Sequence, residues 1–254
     1  MGAASSPTAS PTASPTTSPK PSAKPAPEAS QEPVEDILEH IPCSRVLEYK
    51  TGDLIYGEEQ PVSCIFLVIA GVVKVSRVSA SGQTIVDIYH TDDFLGLTSF
   101  LDTPCRAERA ISLKTAQVMK WSIEEIKAIV ARQPRLGLAL LQMVIRRTVD
   151  FEQRVKSYSL DTIPCRLARS LLYLAERFGS PARDGSVLMA PFTHLVLSQY
   201  VGTSRAMVSK CMSGFRRSGL VRYSRRGINL DRAALERWIE AGGEAAPGGR
   251  AGCE

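Results

Sequence analysis

In the stretch VGTSRAMVSK, residues 201–210, a glycine is followed by two hydroxyl residues, an arginine and, one helical turn on, a lysine. Leu197 and Val201 stand four apart and so share a helix face. Gly202 occupies a place where a chain leaving a helix often takes positive φ. Thr203 or Ser204 can then cap a second helix by accepting a backbone N–H. Val208, Cys211, Met212 and Phe215 recur at i, i+3, i+4 and i+7, the spacing of one buried face. Arg205, Ala206, Ser209 and Lys210 fall off that face. Their chemistry is charge and hydrogen bonding: a short positive helix start suited to a major groove and its base edges. An ordinary helical hairpin with a solvated charged face gives the same local pattern.

The surroundings favour the first reading. From Gly185 to Leu230 there is no Asp or Glu, but there are seven Lys or Arg residues. A solvated face normally mixes signs, whereas a run of one sign is the footprint of a phosphate backbone. After the second helix, LVRYSRRGINL gives two strand-like pieces joined by a basic turn with Gly227. This reads as the wing of a winged helix, with Arg225 and Arg226 at its tip facing phosphate or the minor groove. The whole-chain charge is only +5, so the basic character is local.

The elements that must position this face come earlier. At 254 residues the chain can hold two domains with proper cores. Its first 33 residues hold eight of the 16 prolines and no Leu, Ile, Val or aromatic residue, so residues 1–35 are expected to be a disordered tail. Residues 242–254 read as a second loose tail. Residues 46–121 are rich in Val, Ile, Tyr and Phe and are punctuated by glycines, which suggests an antiparallel roll or barrel. After Pro134 the period changes. Leu141, Val144, Thr148, Phe151, Val155 and Tyr158 step by three and four, which marks a long amphipathic helix. Its length favours pairing with the same helix of a second copy over packing wholly on its own roll.

The longest apolar runs are too short to span a bilayer as a helix, and no N-terminal segment reads as a secretory signal. A cytoplasmic protein is expected. Six cysteines (Cys43, Cys64, Cys105, Cys165, Cys211 and Cys253) lack CxxC spacing, so neither a disulfide framework nor a metal site is expected. Three histidines, His40, His90 and His194, lie far apart with no nucleophile elbow, HExxH or phosphate loop near them, so an enzyme is not expected.

Roll, long helix and winged helix-turn-helix, in this order, resemble the cyclic-AMP receptor protein/fumarate–nitrate regulator (Crp/Fnr) family of bacterial transcription factors. The resemblance covers about residues 36–240 and rests on GDLIYGE at 52–58, IFLVIAGVVKVSR at 65–77, DDFLG at 92–96, the long helix and VGTSRAMVSK. It implies an α+β chain: a β jelly-roll sensor of cyclic-nucleotide-binding type at 36–133, a dimerisation helix at 134–160 and a winged helix-turn-helix at 161–241. It implies a homodimer on a palindromic double-stranded operator, with RNA polymerase as a further partner; no cofactor, metal or membrane is expected. Arg205 matches the arginine that pairs with guanine, Ser204 the adjoining cap or phosphate contact, and Lys210 a basic position one turn on. Thr193 matches the start of the first helix. Ala206 stands where the family often has a glutamate that accepts from cytosine.

The effector pocket departs further. Members that bind cyclic AMP carry Gly-Glu after the turn and a later Arg-Ser that holds the cyclic phosphate. Aligned without gaps, Gly96 keeps its place. Leu97 takes the Glu position, Ala107 the Arg position and Glu108 the Ser position. A small register shift would bring Arg106 or Arg109 into play. The helix pair facing adenine falls at Asp150-Phe151, where Phe151 could itself fill the pocket. The expectation is a regulator that does not use cyclic AMP. Two alternatives are a regulator gated by an unidentified ligand, haem or redox signal (through His90, Cys64 or Cys105), and a nucleotide-binding subunit that controls another protein.

Overall fold

The computed structural model describes residues 44–58, 60–80, 82–101, 106–182, 184–224 and 227–243, all within one unit, Glu35–Glu254. The expected 1–35 tail, most of the 242–254 tail, His40, Cys43, Cys105, Cys253, Arg225 and Arg226 lie outside these residues.

The β-rich stretch folds into six antiparallel strands: β1 (Val46–Tyr49), β2 (Leu54–Tyr56), β3 (Cys64–Ser79), β4 (Gly82–Tyr89), β5 (Phe94–Leu95) and β6 (Arg109–Ser122). They run β1-β6-β3-β4, with β2 on β6 and β5 on β3. Two apolar clusters fill this roll. One centres on Tyr56, Phe66, Val68 and Val118, the other on Ile65, Leu67, Phe94 and Trp121.

Helix α1 (Ile123–Arg132) starts in a full capping box. Glu125 N–H donates to Ser122 Oγ, and the Glu125 carboxylate accepts from Ser122 N–H. At Pro134 the chain turns by 118° into α2 (Pro134–Leu160), 27 residues long. Pro at a helix start costs nothing, because that N–H has no intrahelical partner. Only Leu136, Ala139, Leu140 and Ser157 of α2 are buried. All six stripe residues, Leu141 to Tyr158, are exposed. No single described helix is long and apolar enough to cross a membrane.

Next come α3 (Ile163–Phe178), β7 (Gly179–Pro181), β8 (Val187–Met189), α4 (His194–Val201), α5 (Arg205–Arg217), β9 (Val221–Ser224), β10 (Gly227–Leu230) and α6 (Arg232–Glu240). The small sheet runs β7-β8-β10-β9, all antiparallel. Leu167, Leu171, Leu174, Leu197, Val201, Val208, Met212, Phe215 and Leu235 form its core. That core also takes in Ile85 and Ile88 of β4. The sequence separates sensor and helix-turn-helix parts at 36–133 and 161–241, but the apolar packing is continuous between them. Alternation along one strand does not reveal which outward-facing Ile or Val meets a distant helix.

Candidate nucleic-acid interface

Each turn of the helix-turn-helix is held by an identifiable bond. Thr193 Oγ1 caps α4 by accepting from Val196 N–H at 3.2 Å. Gly202 ends that helix at φ 70°, and a Cβ there would meet the Tyr158 ring at 2.9 Å, so glycine is required twice over. Of the two hydroxyls proposed as cap for α5, Ser204 takes the place, accepting from Met207 N–H at 3.1 Å. Thr203 is half-buried beside it.

Val208, Cys211, Met212 and Phe215 are buried, so α5 has one face committed to the core. Arg205, Ala206 and Lys210 are exposed on the other, with Ser204 at its start. Ser209 is partly committed: its hydroxyl donates to the Arg205 carbonyl at 3.0 Å and meets His194 Nδ1 at 2.8 Å. His194 belongs to this face, and periodicity gave no sign of it, because the contact joins two helices 15 residues apart. The wing strands β9 and β10 pair as the basic hairpin reading expects. Arg222 is less available than the one-sign run suggests. Asp184, just outside that run, pairs with it at 2.7 Å on the surface, and the hydroxyl and N–H of Ser186 first, with Arg222 after them, hold its carboxyl down to about 2.

In the roll, the ungapped register needs correction. Arg106, not Ala107, stands against Gly96. Arg106 is 4% exposed, while Ala107 points to solvent. A Cβ on Gly96, which sits at φ 78°, would lie 2.8 Å from Arg106 Nη1, so only glycine lets the guanidinium approach the main chain this closely. Arg106 Nη2 donates to the Cys64 carbonyl and to Ser99 Oγ, and its guanidinium lies 4.1 Å from the Tyr56 ring centre. Among the described residues Nη1 has no partner, and nearby on the chain the buried Thr98 Oγ1 has none either. Glu108 turns inward and accepts from Tyr56 O–H at 3.0 Å. Burial first, and Glu108 second, push the Tyr56 phenol well up. Arg109 pairs with Glu58 at 3.8 Å. Leu97 packs on the apolar cluster of Phe94 and Trp121.

Asp150 and Phe151 are not drawn to this pocket. Asp150 accepts from Tyr173 O–H of α3 at 3.0 Å, and Phe151 is 36% exposed. Within the single chain Phe151 stays on the outer face of α2, and Arg106 is the side chain that lies inside the roll against Gly96. His90 bonds the Thr91 carbonyl and stacks edge-on against Phe178, and Cys64 lies half-buried beside Ser63.

Comparison with known proteins bears on both halves. Residues 46–133 match the cyclic nucleotide-binding domain family, and residues 165–238 match the Crp-like helix-turn-helix domain family. The chain belongs to the Crp/Fnr family. It is 24% identical over 183 residues to the CRP-like cAMP-activated global transcriptional regulator of Mycobacterium tuberculosis, covering 72% of this chain and 82% of that one. It is 25% identical over 190 residues to the global nitrogen regulator of Synechococcus elongatus, covering 73% and 85%. Its fold is similar to that of FixK2 from Bradyrhizobium japonicum, with a TM-score of 0.67 at 21% identity, covering 77% of this chain and 96% of that one. This Crp/Fnr chain is a transcription regulator with a ligand-binding domain and a DNA-binding helix-turn-helix, and its relatives are regulators, not enzymes.

What joins the two halves of this Crp/Fnr regulator is a partly buried polar junction that the sequence did not announce. Arg177 of α3 reaches Asp93 at 2.6 Å and Asp87 of β4 at 3.2 Å. Arg154 of α2 donates to the carbonyls of Ile85, Val86 and Tyr200, tying long helix, roll and α4 together. Tyr158 O–H donates to the same Tyr200 carbonyl at 3.0 Å. Burial pushes the Asp87 carboxyl up against the pull of Arg177, Arg147 and Arg154. Burial also works against the Arg177 charge, yet Asp87 and Asp93 together raise its hold on the proton.

Removing one partner of such a pair leaves a desolvated charge, and the usual cost is ~3–5 kcal/mol. Arg147 and Arg154 still compensate Asp87, so Arg177→Ala is expected to cost about 2 kcal/mol. The measurement is urea unfolding of the intact chain. An unchanged midpoint would mean that the junction contributes no stability.

Proposed function

We propose that this chain is a homodimeric regulator that pairs through α2, reads a palindromic operator with α5, and does so without cyclic AMP. One observation carries the reading: the same chain presents an exposed basic helix face at Arg205, Ala206 and Lys210 and an exposed apolar seam from Leu141 to Tyr158. A twofold axis along α2 places two copies of α5 on one face of the duplex, about 34 Å apart, so the two half-sites are inverted repeats. DNA and RNA polymerase would be its partners in the cytoplasm. Thr193, Thr203, Ser204, Ser209 and the wing arginines Arg225 and Arg226 would hold the backbone around Arg205.

Leu97 and Arg106 both disfavour cyclic AMP. Leu97 offers a ribose hydroxyl no acceptor and is packed into the roll. Arg106 is already tied to Cys64 and Ser99 and stacked on Tyr56, while Glu108 adds a carboxylate facing the same ring. A nucleotide phosphate would have to displace bonds and face that charge. With no nucleotide to shift the equilibrium, the DNA-competent arrangement must be populated in the free protein.

Calorimetric titration with cyclic AMP and cyclic GMP, beside gel shifts with and without each, tests this. The expected result is no micromolar binding and unchanged operator affinity. Nucleotide binding that raises DNA affinity would overturn it. A second reading has its own support: among the described residues Arg106 Nη1 and Thr98 Oγ1 are buried without partners. Two orphan groups of this kind suit a small anion other than a cyclic nucleotide, so inorganic phosphate and dicarboxylates belong in the same titration.

A further inference from the structure

His194 is the first residue of α4 and touches both other parts of the DNA-binding face. Its Nδ1 lies 2.8 Å from Ser209 Oγ on α5, and its ring packs edge-on against Tyr223 of β9 with centres 5.8 Å apart. Ser209 has a single hydroxyl proton, and it goes to the Arg205 carbonyl at 3.0 Å. The Ser209 oxygen must then accept from His194, which puts a proton on Nδ1. The other nitrogen, Nε2, therefore carries a lone pair in the neutral ring and an N–H only in the imidazolium. A phosphate oxygen is an acceptor too, so the neutral ring offers it nothing, and the charged ring offers a charge-assisted bond.

We propose that His194 is a proton-linked phosphate contact, so that DNA binding takes up a fraction of a proton per half-site. The proposal rests on the reading of α5 as the base-reading helix, since that reading puts DNA against this face. The first helix of a helix-turn-helix crosses the phosphate backbone. The ionisable groups on the elements packed against the ring are Arg205, Lys210, Arg216, Arg217 and the core-facing Cys211 of α5, and Tyr223 and Arg222 of β9. Arg216 lies 5.4 Å over the Tyr223 ring, and Arg222 is answered by Asp184. No carboxylate of α4, α5 or β9 faces the ring, because these segments contain none. Phosphate is thus the negative charge that an imidazolium here would meet. Histidine is also the side chain that changes charge between pH 5 and 8, so the linkage falls in a measurable window.

Protons that bind with DNA favour the complex at low pH, so affinity falls as pH rises. Binding is measured at fixed salt from pH 6 to pH 8 on two duplexes, one selected for tight binding and one of random sequence. The expected loss is roughly tenfold per half-site across that range. His194→Gln keeps a neutral donor and is expected to flatten the profile on both duplexes. His194→Arg is expected to bind tightly at every pH and to steepen the salt dependence by about one unit per half-site. A phosphate contact is blind to sequence, so the slope belongs on both duplexes even if Arg205 reads no base; loss of selectivity alone would count against the α5 reading instead. A flat wild-type profile, or a slope that persists in His194→Gln, overturns the proposal.

Discussion

Arg205→Ala is expected to weaken operator binding by ~2–6 kcal/mol, the sum of about 1–3 kcal/mol at each half-site. The side chain is exposed at the first turn of α5, directly after the Ser204 cap. From there a guanidinium can fork onto O6 and N7 of one guanine. Arg205→Lys separates charge from geometry. It keeps the phosphate attraction but loses the planar fork, so random-sequence affinity holds while preference at one base pair flattens. The neighbouring Ala206 adds only apolar contact, which suits a thymine methyl and gives cytosine no acceptor. Equilibrium titration against a set of single-base operator variants measures all of this. If Arg205→Ala keeps both its affinity and its base preference, another residue reads the groove.

The legibility of this site followed the range of the interactions that build it. The faces of α4 and α5, a hydroxyl cap at Thr203 or Ser204 and the Gly202 exit were all readable, because each is decided within a few residues. The long helix was equally plain, since 27 residues carry their own period. Three features were not. Arg106 was displaced by one position, because an ungapped alignment crosses the loop before β6 at a place where no periodicity fixes the register. Asp87, Asp93, Arg154 and Arg177 come from β4, the turn after it, α2 and α3, and nothing local marks a carboxylate whose partner lies 84 or 90 residues away. His194 looked like a lone histidine until Ser209 and Tyr223 closed around it. The roll and helix-turn-helix also proved to share a core through Ile85 and Ile88, a tertiary fact with no imprint on the alternation of β4.

Val155→Glu is expected to split the dimer. Val155 is 64% exposed in the single chain and lies on the seam with Leu141, Val144, Thr148 and Phe151. In a parallel pair about a twofold axis, a seam residue meets its own copy, so one substitution places two carboxylates face to face in a desolvated groove. Like charges there cost several kcal/mol between desolvation and repulsion, on the order of the net stability of a helix pair. Tyr158 is a poorer probe, because its hydroxyl also holds the Tyr200 carbonyl, and its loss would disturb the fold of the monomer. Val155 has no such duty, so the variant is expected to keep its circular dichroism while its light-scattering mass falls to 27.6 kDa. Operator affinity falls with it, since two linked half-site contacts become two independent weak ones. Phe151→Glu, one turn earlier on the same seam, is expected to behave alike. A dimer that survives both changes would place the interface off α2 and remove the geometric basis for a palindromic operator.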